Sequence, residues 1–194
     1  MKIVIVKYNA GNVYSVSTAL ERVGYSSVIS SNLEEIKSAD KIIFPGVGEA
    51  GSAMIFLREI GLDKIISELK QPFLGVCLGL QLLCNYSEEG DTKCLGIFDE
   101  TVKLFSGKEK VPHMGWNSIK FNPHKLFTNV ANESFVYFVH SYYAGLNPYT
   151  IAETNYIQQF SAAMQKENFY ALQFHPEKSG KIGEQILKNF IELI

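Results

Sequence analysis

The residues best suited to chemistry are a cysteine between two glycines and a His-Pro-Glu sequence far downstream. Residues 75–79 (Gly-Val-Cys-Leu-Gly) join a short apolar run, typical of a buried strand, to an apolar run that predicts a helix. A nucleophile on a sharp strand-to-helix turn requires small flanking residues, because a Cβ there would collide with the neighbouring strand or helix. We therefore predict that Cys77 lies on such a turn, where the helix N-terminus favours its thiolate and the Leu78 amide faces a developing oxyanion.

A candidate base and its orienting group are His175 and Glu177, which follow the aromatic and apolar run 169–174. Alternate positions of an extended backbone project to the same side, so Glu177 can reach one ring nitrogen of His175 and leave the other facing the thiol. Taken alone, the cysteine is typical of a buried small residue and His-Pro-Glu of a surface loop. Together they favour a nucleophile, base and orienting carboxylate arranged as a triad.

A glycine-rich stretch follows an earlier predicted strand. Residues 46–51 match the Gly-x-Gly-x-x-Gly fingerprint of dinucleotide-binding proteins. That fingerprint belongs to the first strand-helix unit and requires an acidic residue at the end of a strand about 20 positions later, and no strand ends in such a residue here. The stretch is better explained as backbone that approaches a reactant closely. Because its strand neighbours the cysteine strand, its amides are expected to complete an oxyanion hole.

The surrounding pattern predicts an α/β fold. Apolar runs at 3–6, 28–29, 41–44 and 73–76 alternate with amphipathic helices, which indicates a doubly wound, mainly parallel sheet with helices on both faces. Asn12 is the predicted N-cap of the first helix, and Ser31 with Glu34 a capping box for the second. Ligands of such sheets bind at the carboxyl ends of strands, where Cys77 is expected.

The second half of the chain has a less regular pattern. Shorter runs predict a partly antiparallel extension of the sheet, and a clean apolar stripe predicts a C-terminal helix. No linker composition separates the halves, so residues 1–194 are expected to form one domain. The predicted strands of this half are 102–105, 118–121, 135–142 and 162–165.

Composition excludes several classes of protein. The net charge of −2 does not indicate a nucleic-acid or membrane surface, and no apolar run reaches the length of a spanning helix. The three cysteines have no disulfide or zinc spacing, and the N-terminus has no signal-peptide pattern. We expect a cytoplasmic protein without metal or cofactor.

Three further histidines and the single tryptophan need separate interpretations. We expect His113 in a turn, His124 on the surface, and His140 hydrogen-bonded in a strand beside the site. We predict that Trp116 lies in a glycine-containing turn next to polar residues, a composition suited to a partner contact. A tryptophan folded into a local core is the alternative.

On these motifs the chain resembles the class I (triad) glutamine amidotransferases and, within them, the glutaminase subunits of imidazole glycerol phosphate synthase. The cysteine turn and His-Pro-Glu are typical of the whole class, whereas Pro-Gly-Val-Gly and Pro-His-Met-Gly-Trp-Asn are specific to the synthase subunits. The matching stretches run along the whole chain: 11–12, 45–48, 75–83, 112–117, 138–143 and 174–178.

The resemblance implies a role for each matching residue. Cys77 would attack the carboxamide of glutamine to form a thioester, while His175, held by Glu177, would protonate the ammonia and then activate water. The oxyanion hole would consist of the amide of Leu78 and that of Val47 after a peptide flip, in the loop that includes Gly48. A hole that depends on a flip would explain low activity until a partner binds. The positions that would hold glutamine are Gly48, Gln81, Ser141 and Tyr142.

The resemblance also implies a partner, a (β/α)8-barrel cyclase that forms a heterodimer with this chain and uses its ammonia in histidine biosynthesis. Asn12, Trp116 and Lys181 match interface positions. The chain departs from the family pattern at Lys7, where an acidic residue is usual, and at Asn9, where a glycine is usual. Since that loop faces the partner, a paralogous subunit that supplies ammonia for surface-sugar amidation is the alternative.

Two interpretations from other classes fit the motifs less well. A non-catalytic scaffold of this fold would not need His175 and Glu177 beside the cysteine turn. A DJ-1-like hydrolase shares that turn but not the His-Pro-Glu or the tryptophan segment. Loss of glutamate release in Cys77→Ala would exclude the scaffold.

Overall fold

The computed structural model describes all residues from 1 to 194 and consists of a large central sheet with helices on both faces. No helix is both long and apolar enough to cross a membrane. The helices α1–α6 are Val13–Arg22, Leu33–Lys37, Ala50–Glu59, Leu62–Ile66, Leu78–Leu83 and Gly180–Leu193. Strands β1–β7 are Ile3–Val6, Val28–Ser30, Lys41–Gly46, Phe73–Cys77, Tyr86–Ser87, Thr92–Lys93 and Thr101–Leu104. Strands β8–β14 are His113–Ser118, Lys120–Phe121, Phe135–His140, Tyr142–Ala144, Thr150–Tyr156, Gln158–Lys166 and Phe169–Leu172.

The main sheet has eight strands in the order β2-β1-β3-β4-β14-β13-β12-β9. The first five are parallel to one another, as their apolar runs predict. The last three continue the sheet in antiparallel pairs. Both the doubly wound sheet and its antiparallel extension are therefore confirmed. Two smaller sheets, β10-β8 and β11-β7-β5-β6, complete the fold.

The two faces of the sheet bury two separate apolar clusters of 29 residues each. Helices α1 and α6 cover one face, and α2 to α5 cover the other. In α1 the buried residues recur at helical spacing, and α6 buries its predicted stripe in the same way. Because α1 and α6 each have one apolar stripe, burial against the sheet determines which way these two helices face.

Two predicted helix caps are wrong in detail. Asn12 occupies the N-cap position of α1, but its side chain makes no cap hydrogen bond. The capping box of Ser31 and Glu34 is not formed, because Asn32 is the N-cap of α2. Its side-chain oxygen accepts hydrogen bonds from the amides of Glu34 and Glu35. An asparagine satisfies two free amides at once and so displaces the box.

The segment around Trp116 is a strand, not the predicted turn. Residues His113–Ser118 form β8, which pairs with β10 from His113↔His140 to Ser118↔Phe135. His113 is buried, with its ring stacked on those of Phe138 and Tyr156 at centroid distances of 4.8 and 4.1 Å. Pairing with a distant strand decides this conformation, and it outweighs the turn preference of the local sequence.

In the second half one further strand was not predicted, one prediction about a histidine is wrong, and another is confirmed. Strand β12, Thr150–Tyr156, had no predicted counterpart. His124 is half-buried, not exposed, because its ring caps the short 3₁₀ turn Lys125–Phe127 and bonds to Gln165. His140 is a buried, hydrogen-bonded strand residue, as expected.

Candidate active site

Cys77 lies on a sharp turn between β4 and α5, as its flanking glycines predict. Its backbone has φ 54° and ψ −108°, an unusual conformation for a residue with a side chain. A Cβ on Gly79 would overlap the carbonyl oxygen of Phe44, and one on Gly75 would lie 2.9 Å from the carbonyl of Gly79. Strand and helix therefore approach too closely for any other residue at either position.

His175 reaches the cysteine because β14 runs parallel to β4. The register Leu172↔Val76 brings the residues that follow both strands to the same end of the sheet. His175 Nδ1 lies 2.8 Å from Glu177 Oε1, and both side chains are almost fully buried. His175 is extended, as predicted, but the extended backbone does not continue to Glu177, since Pro176–Lys178 form a 3₁₀ turn. Glu177 curls back toward the ring from that turn.

The protonation of His175 follows from opposing effects. Burial lowers the pKa of its ring, but the neighbouring Cys77 sulfur and Glu177 carboxylate outweigh it and raise that pKa to about 10. His175 Nε2 is buried and has no hydrogen-bond partner within the protein. A protonated ring with a free N–H is therefore available at neutral pH to pair with a thiolate or to protonate a leaving group.

The glycine-rich loop lies directly beside the cysteine. Strand β3 pairs with β4 in the register Gly46↔Cys77, so the loop begins next to the sulfur-bearing residue. Val47 is 40% exposed, and Gly48 has φ +116°, which favours glycine. Val47 and Gly48 of this loop line the same pocket as Leu78, the first residue of α5.

One pocket of about 430 Å³ contains the predicted catalytic and substrate positions except Glu177, which supports it from behind His175. The large share of polar groups in its lining suits a small polar substrate better than an apolar one. The lining residues are Val47, Gly48, Cys77, Leu78, Gln81, Glu89, Pro112, Val139, His140, Ser141, Tyr142, His175 and Lys178.

Sequence reasoning missed two polar residues of this site. Glu89 brings a carboxylate into the pocket, where its Oε2 accepts a hydrogen bond from the Ala50 amide at 2.8 Å. Burial raises the pKa of this carboxyl, against the lowering effect of that hydrogen bond. Gln173 is fully buried, and its Nε2 lies 3.9 Å from Cys77 Sγ. Gln173 lies two residues before His175, and this closeness in sequence is a signal for its place at the site. Glu89 lies in a turn-rich segment without a distinctive pattern.

The three predicted interface residues lie outside the pocket lining. Trp116 is 55% exposed on β8, with its ring edge-on to Tyr137 at 6.0 Å. Lys181 is exposed at the start of α6, 3.0 Å from Glu184, and Asn12 is partly exposed before α1. We call these three residues, for which a partner contact is predicted, the interface surface.

The region beneath the interface surface connects it to the site. Lys178 lines the pocket and lies with its Nζ 5.9 Å from the centre of the Tyr137 ring, which contacts Trp116. A shallow cavity joins α1 to the turn that carries Glu177 and Lys178. No group of three or more His, Cys, Asp or Glu side chains is arranged to hold a metal ion.

Comparison with known proteins gives the family and the fold of the chain. Residues 4–193 match the family described as glutamine amidotransferase class-I. The chain is 58% identical over 196 residues to the imidazole glycerol phosphate synthase subunit HisH of Bacteroides fragilis (strain YCH46), with 100% of both chains covered. It is 47% identical to the subunit of that name from Pasteurella multocida (strain Pm70), covering 99% of this chain and 98% of that one. A solved glutamine amidotransferase with 19% identity aligns with a TM-score of 0.75 over 98% of this chain and 97% of that one, a likeness in fold.

Proposed function

The chain belongs to the class I glutamine amidotransferases, within the family of imidazole glycerol phosphate synthase HisH subunits, and we propose that Cys77, His175 and Glu177 are its catalytic triad. It is a glutaminase subunit of histidine biosynthesis. The observation that carries the triad is geometric: parallel strands β4 and β14 bring thiol and imidazole to one pocket, and Glu177 holds the imidazole at 2.8 Å.

The reaction follows from the positions of the pair and from the raised pKa of His175. The Cys77 thiolate attacks the side-chain carboxamide carbon of glutamine, and the C=O electrons move onto oxygen. As this oxyanion collapses, the C–N bond breaks and His175 gives its Nε2 proton to the departing ammonia, leaving a thioester. The neutral ring then takes a proton from water, whose oxygen attacks the thioester. Breaking the C–S bond releases glutamate and restores the thiolate.

The oxyanion needs donors beside Cys77. We assign this role to the Leu78 amide and to the loop of Val47 and Gly48, which starts next to the cysteine. A Val47 amide that points inward only after a peptide flip would make the hole complete in one state and incomplete in the other. Loss of one such donor slows catalysis by about 100- to 1,000-fold, enough to couple glutaminase activity to a partner.

Glutamine is held by groups around the rest of the pocket. Gly48, Gln81, Ser141 and Tyr142 are the assigned binding positions. Glu89 adds the only carboxylate among the lining residues, and we assign it to the α-ammonium group of the substrate. A charge-assisted hydrogen bond of this kind is about twice as strong as a neutral one.

The partner is proposed to be a (β/α)8-barrel cyclase that forms a heterodimer with this chain. In this proposal residues 1–194 form one glutamine amidotransferase domain, and Asn12, Trp116 and Lys181 contact the cyclase. The connection from Trp116 through Tyr137 to Lys178 at the pocket supports a partner that docks next to the ammonia-producing site.

The test is glutamate release from glutamine, measured with and without the cyclase of the same organism and its nucleotide ligand. We expect strong stimulation by the liganded cyclase and no release from Cys77→Ala in either condition. Activity only with a paralogous cyclase would retain the triad but reject the histidine-pathway partner. Unchanged activity in Cys77→Ala would reject the triad itself.

A further inference from the structure

A chain of buried polar side chains surrounds the pocket and converges on the carbonyl oxygen of Tyr142. Gln81 Nε2 lies 2.9 Å from this oxygen, and His140 Nδ1 lies 2.7 Å from it. Gln81 Nε2 also lies 3.4 Å from Gln173 Oε1. The amide nitrogen of Gln173 in turn lies 3.9 Å from Cys77 Sγ. One continuous set of contacts thus joins the nucleophile to a substrate-binding side chain.

The carbonyl determines how the Gln81 amide must be oriented. A backbone oxygen can only accept, so the Gln81 atom next to Tyr142 is its nitrogen. That nitrogen has two hydrogens, and both have acceptors within the protein, Tyr142 O and Gln173 Oε1. Only the oxygen Oε1 of Gln81 is left for a ligand. Gln81 therefore presents an acceptor to the pocket and can bind only an N–H or O–H group of a substrate.

The same carbonyl determines the tautomers of two histidines. His140 must carry its proton on Nδ1, which leaves Nε2 to accept from His113 Nδ1 at 3.1 Å. His113 Nε2 then accepts from Asn117 Nδ2 at 3.4 Å. Burial lowers the pKa of His140 to about 3 and that of His113 to about 4, so each ring has one proton at neutral pH. Every bond of the chain has a defined direction.

We propose that Gln173 and His140 are positioning residues of the glutaminase site, which hold the Gln81 amide with its oxygen toward the substrate. This inference rests on the proposed glutaminase function. Neither side chain needs to touch glutamine. Gln173 prevents rotation of the Gln81 amide by accepting its second hydrogen, and its own N–H points toward the sulfur. His140 holds the Tyr142 carbonyl where it can accept the first hydrogen.

The alternative is that these bonds only stabilise the core, and the two roles differ in what they affect. A freed Gln81 amide can rotate and present hydrogens where the substrate also has an N–H group. That change weakens glutamine binding but leaves the general reactivity of the thiol in place when the substituted side chain makes no hydrogen bond to the sulfur, as is the case for His140 and not for Gln173. A purely structural loss would lower stability and affect all reactions of Cys77 together.

The variants are chosen to separate these effects. Gln173→Met and His140→Phe remove the polar groups and keep most of the volume. His140→Asn retains an N–H where Nδ1–H stands and should rescue the function. Gln165→Met is the matched control, because Gln165 accepts a hydrogen bond from His124 at 2.9 Å on β13 and does not line the pocket.

The measurements are kcat and KM for glutamine with the activating cyclase, and two rates of Cys77 labelling. Iodoacetamide reports on the thiol alone, whereas 6-diazo-5-oxo-L-norleucine must bind as a glutamine analogue. We expect Gln173→Met and His140→Phe to raise KM about 10- to 100-fold, the scale of a lost buried hydrogen bond. The rate at which the analogue labels His140→Phe should fall by the same factor as KM rises. The rate at which iodoacetamide labels it should stay within about 3-fold of the wild-type rate.

Two results would overturn the inference. One is an unchanged KM in both Gln173→Met and His140→Phe. The other is a parallel loss of both labelling rates and of the thermal midpoint, with no rescue by His140→Asn. Failure of the underlying function is distinguishable, because the wild-type protein would then release no glutamate with any cyclase.

Discussion

At the scale of single residues, the pKa of the His175 ring is set by two opposing effects. Burial favours its neutral form, while the sulfur of Cys77 and the carboxylate of Glu177 favour the charged form and raise its pKa to about 10. Because the folded-state pKa exceeds the ordinary value near 6.5, the stabilisation is complete below about pH 6.5 and is lost as the pH rises toward 10. The imidazolium needed to protonate ammonia is therefore present throughout the neutral range.

Replacing Glu177 with glutamine tests this balance. Glu177→Gln removes one of the two negative groups, so we expect a lower pKa for His175 and a loss of glutaminase activity of about 100-fold or more. The pKa is measured from the ring resonances of His175 by NMR titration. Glu34→Gln, which alters an exposed carboxylate paired with Lys37, is the control and should leave those resonances unchanged. An unaltered titration in Glu177→Gln would contradict the assigned role.

Glu89 is the second residue whose charge can be tested directly. Glu89→Gln retains the hydrogen-bond acceptor for the Ala50 amide but removes the charge that we assign to the substrate ammonium. We expect KM for glutamine to rise about 10- to 100-fold with a smaller change in kcat. Steady-state kinetics in the presence of the cyclase measure this, and Glu59→Gln on the exposed side of α3 is the control. Equal KM values for the two variants would remove Glu89 from the binding site.

At the scale of elements, the site depends on how closely α5 packs against the strands. The helix begins one residue after Cys77 and passes directly over the Phe44 carbonyl of β3. Two glycines make this approach possible, and Cys77 between them lies on the turn with a positive φ of 54°. The nucleophile is therefore presented by backbone packing, and side-chain contacts only refine its position.

Adding a methyl group at Gly79 tests the packing of α5. Gly79→Ala places a Cβ against the Phe44 carbonyl, which cannot move without disturbing β3. We expect a loss of about 2–3 kcal/mol in the free energy of unfolding, measured by chemical denaturation, together with reduced glutaminase activity. In the matched variant Gly145→Ala the nearest atom lies 3.9 Å from the added Cβ, so its stability should change little. Similar stabilities for both variants would show that α5 can shift.

At the scale of the whole molecule, the active groups collect at one end of the sheet because parallel strands all end there. Strands β3, β4 and β14 supply the loop, the nucleophile and the base in adjacent positions. The interface surface lies beside this end, with Trp116 connected to Lys178 through the Tyr137 ring. A partner bound at Trp116 would contact the side chains that lead through Tyr137 to Lys178 at the pocket.

Truncation of Trp116 tests the interface surface. Trp116→Ala removes an exposed aromatic side chain, so we expect little change in unfolding but about 10-fold or greater weakening of cyclase binding. Binding is measured by titration of the stimulated glutaminase activity. Ile55→Ala is the control, since Ile55 on α3 is 58% exposed, close to the 55% of Trp116. Equal stimulation curves for both variants would place the interface elsewhere.

The sequence alone was sufficient to predict the parallel half of the fold and the types of residue that form the site. Apolar runs and helical stripes within short segments predict the strands and helices of that half. The glycines around Cys77 indicate a tight strand-to-helix turn, because few other structures require small residues at both positions. Recognition of the family rests on the same local motifs and is confirmed by the relatives. The catalytic and binding roles of individual residues stay predictions, although their residues do share one pocket.

The tertiary structure alone decided the strand around Trp116, the burial of His113, and the presence of Glu89 and Gln173 at the site. It also showed that Glu177 reaches His175 from a 3₁₀ turn. Each of these features depends on contacts between segments far apart in the chain. Strand pairing and buried hydrogen bonds draw their energy from such contacts, so no short stretch of sequence specifies them.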